Sequence, residues 1–157
     1  MPRNSCRTWR QRSSSCWTMK PRKREQDPDG PGAVSIEPPI RRGDILWISC
    51  DPSVGAEPRK TRTCVVVSND FANRFGQAIT IVPTQAYSAE RAGRAYMTDL
   101  RRPRSTLAEN RVANASMVMT YDRRRIVKRA GKVMPQTLAD IDRALAVHLA
   151  LSLPDPR

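Results

Sequence analysis

From Arg41 onward the chain breaks into short β-branched runs separated by loops that carry proline and glycine, and this pattern limits the fold more than any other feature. Asp44-Ile45-Leu46-Trp47-Ile48-Ser49-Cys50 reads as a first strand, rich in β-branched and aromatic residues. Arg62 to Asn69 reads as a second, apolar enough to be buried on both faces. Gln77 to Thr84 reads as a third, with Pro83 near its end, where a lost ladder donor costs least. Between them stand a polar loop, Asp51 to Lys60, and one short helical turn from Asp70 to Gly76 capped by Asn69 or Asp70.

Further along, a loop over 86–93 leads to a strand from Arg94 to Leu100 and a turn through Pro103. A strand from Arg111 to Met119, a short helix from Asp122 to Val127 and a short strand from Arg129 to Met134 follow. The clearest helix comes last. Pro135 suits its first turn, and Leu138, Ile141, Leu145, His148 and Leu149 recur at helical spacing until Pro154 and Pro156 stop it. Short strands followed by one amphipathic helix imply a mainly β fold with α, a small curved sheet or partial barrel with the helix packed against it.

The first 39 residues have a different character. Arg, Ser, Pro and Gly dominate, Trp9 and Trp17 stand alone, and five prolines between Lys20 and Pro39 deny the segment a regular element. The expected organisation is a disordered or loosely ordered basic extension over 1–39, a folded domain over 40–153 and a tail over 154–157. Met19 offers an alternative start, with residues 1–18 as an upstream extension.

Charge narrows the function classes. The formal net charge is +13, and residues 101–132 alone carry ten Lys/Arg against Glu109 and Asp122. Most of the excess therefore lies in the folded part, where it would concentrate phosphate-bearing ligands. Arginine dominates over lysine, and its fork matches phosphate geometry. No run approaches the ~20 apolar residues of a membrane span, and no apolar stretch of secretory type follows the basic N-terminus. A cytoplasmic protein with no membrane partner is expected. Cys6, Cys16, Cys50 and Cys64 show no C-x-x-C spacing and no histidine beside them, so no metal or other cofactor is expected. Cys50 and Cys64 lie in strand-like runs and read as small buried residues.

Four motifs then fall into a recognisable order. Arg42-Gly43-Asp44-Ile45-Leu46-Trp47 resembles the R-G-D-(I/V)-(Y/W) opening strand of the MazF/PemK toxins. Asp51-Pro52 with Gly55-Ala56-Glu57 resembles that family's D-P-x-x-G-x-E loop, Arg62 to Asp70 its R-P-V-V-V-(I/V)-S-N-D strand, and Val82-Pro83-Thr84 its V-V-P-(L/C)-T ending. The resemblance spans residues 41–152. It implies an SH3-like, CcdB-type small curved β-barrel with a C-terminal amphipathic helix. It further implies a toxin–antitoxin mRNA interferase: a homodimer, neutralised by a cognate antitoxin, that cuts single-stranded RNA sequence-specifically and without metal. The cut leaves a 2′,3′-cyclic phosphate and a 5′-hydroxyl.

Such a cut needs deprotonation of a 2′-hydroxyl, stabilisation of a crowded anionic phosphorane and protonation of the leaving 5′-oxygen. Because RNA supplies the nucleophile, no metal-activated water is needed. By the resemblance Arg62 is the catalytic arginine, a fixed positive fork on the phosphorane. Thr84 falls at the catalytic threonine, but many members have one more residue after the proline, which leaves Gln85 as a substitute. Thr63 and Pro58 replace the usual proline and glutamine, and Ser116-Met117 stand where an Asp-Gln pair is frequent. Glu57 is read as a loop-ordering or antitoxin-contact residue beside the site. Arg59, Lys60, Arg74, Arg91 and Arg94 are candidates for phosphate contact, Tyr87 and Phe71 for stacking a base, and Asn114 for a further RNA contact. His148 reads as structural, since one histidine cannot supply an acid and a base together. Two other readings use the same fold: a non-catalytic basic nucleic-acid-binding module, and a gyrase-directed toxin.

Overall fold

The computed structural model describes residues 38–152. Most of the expected N-terminal extension and the tail at 154–157 lie outside the described residues. Seven strands form one sheet: β1 (Asp44–Ser49), β2 (Thr61–Val66), β3 (Ala78–Ala86), β4 (Met97–Asp99), β5 (Arg111–Asn114), β6 (Met119–Asp122) and β7 (Ile126–Lys132). Two short helices, α1 (Asp70–Phe75) and α2 (Ala89–Ala92), and a long one, α3 (Pro135–Leu149), complete the domain. The strand order is β4-β5-β3-β2-β1-β7, with β6 also on β3, and all named pairings are antiparallel. The path ends at β4 and β7, so the expected barrel is realised as a sheet that is not closed.

β3 is the longest strand because it serves three neighbours. It pairs with β6 over Ala78–Ile81, with β2 over Ile81–Pro83 and with β5 over Thr84–Ala86. Pro83 is therefore mid-strand and not near the strand's end. It sits in the interval where the neighbour on one side changes from β6 to β5, so its missing N–H interrupts no ladder there.

Alternation along β1 and β2 builds two cores. Ile45, Val65, Val82, Leu100, Val133 and Ile141 form one beneath α3, with Leu138 and Leu145 against it. Leu46, Ile48, Cys64, Val66, Ile79 and Ile126 form the other on the opposite face, with Met119 and Tyr121 against it. β2 is thus buried on both faces, as its sequence implies.

The opening Arg42-Gly43-Asp44 is a structural clamp. Asp44 is buried, pairs with Arg129 at 2.6 Å and accepts from the Arg41 N–H at 2.7 Å. Arg42 reaches the Val67 carbonyl and the Asp142 carboxylate on α3. Gly43 has φ +86°, and a Cβ there would lie 3.4 Å from both Leu138 and Val133. The positive φ is what calls for glycine, since the Cβ would make only close van der Waals contact there.

Several expected boundaries move. The strand expected over 94–100 contracts to β4. The one expected over 111–119 is two strands, because the Asn114 side chain accepts from the N–H and hydroxyl of Ser116 and caps a 3-10 turn at Ala115–Met117. The helix expected over 122–127 is a 3-10 turn, Arg123–Arg125, capped by Asp122, and β7 starts at Ile126 instead of Arg129. In α3 the buried face is Thr137, Ile141 and Ala144, and the helix stops at Leu149 with Ala150 left-handed, before either proline. His148 is exposed, along with Val147 and Leu149, which corrects its reading as a core residue.

Candidate active site

β2 and β3 run antiparallel, so the start of β2 and the end of β3 meet at one end of the sheet. The 51–60 loop delivers Arg62 there. Within it, Glu57 accepts from the Val54 N–H at 3.0 Å, Arg59 donates to the Gly55 carbonyl at 3.3 Å, and Asp51 accepts from the Lys60 N–H at 3.1 Å. Lys60 takes a left-handed conformation, φ 63°, as the chain turns into β2. Arg62 Nε donates to the Arg59 carbonyl at 3.0 Å, and its side chain is exposed. No motif pointed to Arg125, which donates to the carbonyls of Ser49 and Asp51 at 3.3 and 2.7 Å and fixes the root of this loop.

The register then decides what stands beside Arg62. Cys64 faces Pro83. One step on, the Thr63 and Thr84 hydroxyls hydrogen-bond each other in the interior, where Thr84 is only 2% exposed. A further step puts Gln85 across from Arg62, on the other face of the sheet from Thr84, since side chains alternate. Gln85 is half-buried, and its amide donates to the Met117 sulfur at 3.7 Å. Sulfur is a weak acceptor, so most of that amide's hydrogen-bonding capacity remains available. Continued past its last recorded pair, the register thus sets Gln85 on the same face as Arg62 and turns Thr84 away.

Beneath Arg62 lie two buried thiols and a phenol. The hydrogen bond from Cys64 holds the Cys50 thiol down, to about 6, against the effect of burial; Tyr121 and the Arg62 charge act in the same sense. The same bond and burial push Cys64 up. Burial, then the Cys50 charge, pushes Tyr121 up to about 12, and the Arg125 guanidinium lies 5.3 Å from its ring.

The other candidates divide. Arg59 and Lys60 are exposed beside Arg62. Arg91 is anchored at the end of β3, donating to the Ala86 carbonyl at 2.9 Å, and Arg94 pairs with Glu90 on α2. Arg74 and Phe71 sit on α1, beyond the far end of β2, which lies about 13 Å of strand from Arg62. There Phe71 stacks against Phe75 at 4.9 Å. The Tyr87 ring is covered by the Arg101 guanidinium at 3.9 Å. Asn114 is buried and committed to capping Ser116, which removes it from any surface contact.

Residues 41–149 match the family model described as PemK-like, MazF-like toxin of type II toxin-antitoxin system. The chain belongs to this family. Endoribonuclease MazF9 of Mycobacterium tuberculosis is 33% identical over 117 residues, covering 71% of this chain and 98% of that protein. Endoribonuclease EndoA of Bacillus subtilis is 24% identical over 112 residues, covering 71% and 96%. Among solved structures, the crystal structure of MazF from Deinococcus radiodurans aligns with a TM-score of 0.62 at 19% identity, covering 71% of this chain and 97% of that one. A mycobacterial endoribonuclease in complex with its cognate antitoxin aligns at 0.59 and 22% identity, covering 73% and 99%. The open antiparallel sheet with a C-terminal helix is therefore a MazF-type fold.

Proposed function

We propose that this endoribonuclease toxin cuts single-stranded mRNA at a short recognition sequence by attack of the 2′-hydroxyl on its own phosphate, with no metal taking part. The O2′–P bond forms and the P–O5′ bond breaks, leaving a 2′,3′-cyclic phosphate and a 5′-hydroxyl. Arg62 places its positive fork on the non-bridging oxygens as charge builds there. Gln85 supplies the second donor, in the place that Thr84 would take if the register were shifted by one. Arg59 and Lys60 hold the flanking phosphates, while Glu57 keeps their loop in shape. The toxin works in the cytoplasm as a homodimer held in check by a cognate antitoxin, as its family membership implies.

The observation that carries this reading is the exposed Arg62 held across from Gln85 at the mouth of a basic loop. A long RNA incubated with the protein in EDTA tests it. Discrete cuts, mapped by their 5′ ends and lost in Arg62→Ala, are expected; RNA left intact at high protein concentration overturns the reading.

A second reading, a non-catalytic nucleic-acid-binding module, is favoured by one observation. Ser116 puts no carboxylate beside the site, and its hydroxyl is tied to Asn114 at 2.7 Å. It would give RNA retention with no new ends in the same assay.

A further inference from the structure

Behind the sheet from Arg62 lies a cavity of about 160 Å³ that none of the proposed site residues uses. Trp47, Thr63, Leu107 and Ala130 line it, together with Glu109 and Arg111. Trp47 and Thr63 face each other across β1 and β2, and the next pair along is Ile48 with Arg62. The cavity therefore opens on the opposite face of the same two strands.

Its chemistry is mixed in an informative way. The Trp47 ring is half-buried, with the Lys128 ammonium 5.8 Å from its centroid. Thr63 is 4% exposed. Its hydroxyl is bonded to that of Thr84, so the polar edge of the cavity is carried mainly by Arg111 and Glu109. The Arg111–Glu109 ion pair sets donors and an acceptor side by side. A drug-sized ligand needs ~300 Å³ or more, so this space suits a single flat ring system with polar edges.

A second, more open cavity of about 530 Å³ adjoins it, sharing Ala108 and lined by Arg101, Arg102 and Arg104. Arg101 pairs with Asp99, which also lines the cavity, and Arg104 with Asp140; Arg102 makes no ion pair among the described residues and donates to the Leu107 carbonyl at 3.2 Å. A basic groove leading to an aromatic slot is the arrangement that single-stranded nucleic acids find, with phosphates over cations and a base against a ring.

We propose that the Trp47–Thr63–Arg111 cavity takes one nucleobase of the single-stranded RNA that this toxin binds, with the adjoining phosphates running over the Arg101–Arg104 turn. The inference rests on the RNA-cutting reading and adds to it a base-binding subsite away from the cut. The Trp47 ring provides the stacking surface. Arg111 and Glu109 read the base edge, a task for which guanidinium and carboxylate groups are suited.

The test uses the full chain carrying Trp9→Phe and Trp17→Phe, so that indole emission reports Trp47 alone. Short 2′-O-methyl oligonucleotides, which have no free 2′-hydroxyl and stay uncut, are titrated as adenine, cytosine and uracil homopolymers beside an abasic strand. At least one base-bearing strand is expected to quench Trp47 and to bind about tenfold or more tightly than the abasic strand. Arg111→Gln should weaken that strand about threefold or more while the thermal unfolding curve stays in place. Equal binding of abasic and base-bearing strands with unchanged Trp47 emission overturns the proposal. If no strand binds although long RNA is still cut, the subsite alone falls; if long RNA is neither bound nor cut, both readings fall. Quenching by decaglutamate in place of any oligonucleotide would assign the groove to an acidic protein partner, and that too overturns it.

Discussion

The hydroxyls of Thr63 and Thr84 meet across β2 and β3 in the interior. That contact fixes the register at the end of the sheet: with Thr84 turned inward, Gln85 is the residue on Arg62's face. A first prediction concerns stability. Thr84→Val leaves the Thr63 hydroxyl buried without this partner and should cost about 1–3 kcal/mol, whereas the double variant Thr63→Val/Thr84→Val should be close to neutral. Chemical denaturation of the four proteins in this cycle measures the coupling; additive costs would mean that the two hydroxyls do not interact.

Cleavage should separate these neighbours in the other direction. Gln85→Ala and Arg62→Lys are each expected to lower the rate of RNA cutting roughly 100-fold or more, as loss of one preorganised donor does elsewhere. Lysine keeps the charge but lacks the fork. Single-turnover rates on a fixed RNA give the comparison, and a Thr84→Val protein that stays folded should keep at least the rate of Gln85→Ala.

Gly43→Ala should destabilise the fold by about 1–3 kcal/mol, since a side chain is strained at its φ of +86°. A melting temperature equal to that of the unaltered protein would contradict this. The replacement lies away from the cutting end, so the specific activity of the folded fraction should be unchanged.

Tyr121 carries a pH dependence. Burial raises its ionisation from 10.0, the value of a freely solvated phenol, to about 12 in the fold. A raised folded value favours the protonated form, so its stabilising contribution is fully present below pH 10 and is lost as pH climbs through about 12. Absorbance at the tyrosinate band should show a phase near that upper value that is missing in Tyr121→Phe, and the variant's stability should fall less over the same interval.

Much of the fold is written locally. The strand-forming runs at 44–50 and 62–69 and the helix starting at Pro135 are visible because period and β-branching act over neighbouring residues. Asn114 shows the limit: its side chain bonds to Ser116, two residues on, and splits one expected strand in two. The same apolar run would read identically without that cap. His148 continues the helical spacing of Ile141 and Leu145 yet is exposed, and no periodicity reports which part of a helix its neighbours cover. In the site, Arg62 is legible from its motif, while the choice between Thr84 and Gln85 depends on register, a property of two strands together. Arg74 and Phe71 look near in sequence and lie at the opposite end of β2. Arg125 holds the 51–60 loop from 74 residues away, and nothing local announces it.

The reach of Arg125 bears on how the toxin is made. When Gln85 leaves the ribosome, every residue proposed to act in cutting has already been synthesised. The guanidinium that holds the root of their loop and the strand that covers β1, Ile126–Lys132, are still unmade. A nascent or prematurely terminated chain therefore carries the complete chemical inventory without the geometry. The arrangement at this end of the sheet depends on residues made well after the ones it arranges, Arg125 and the β7 strand among them.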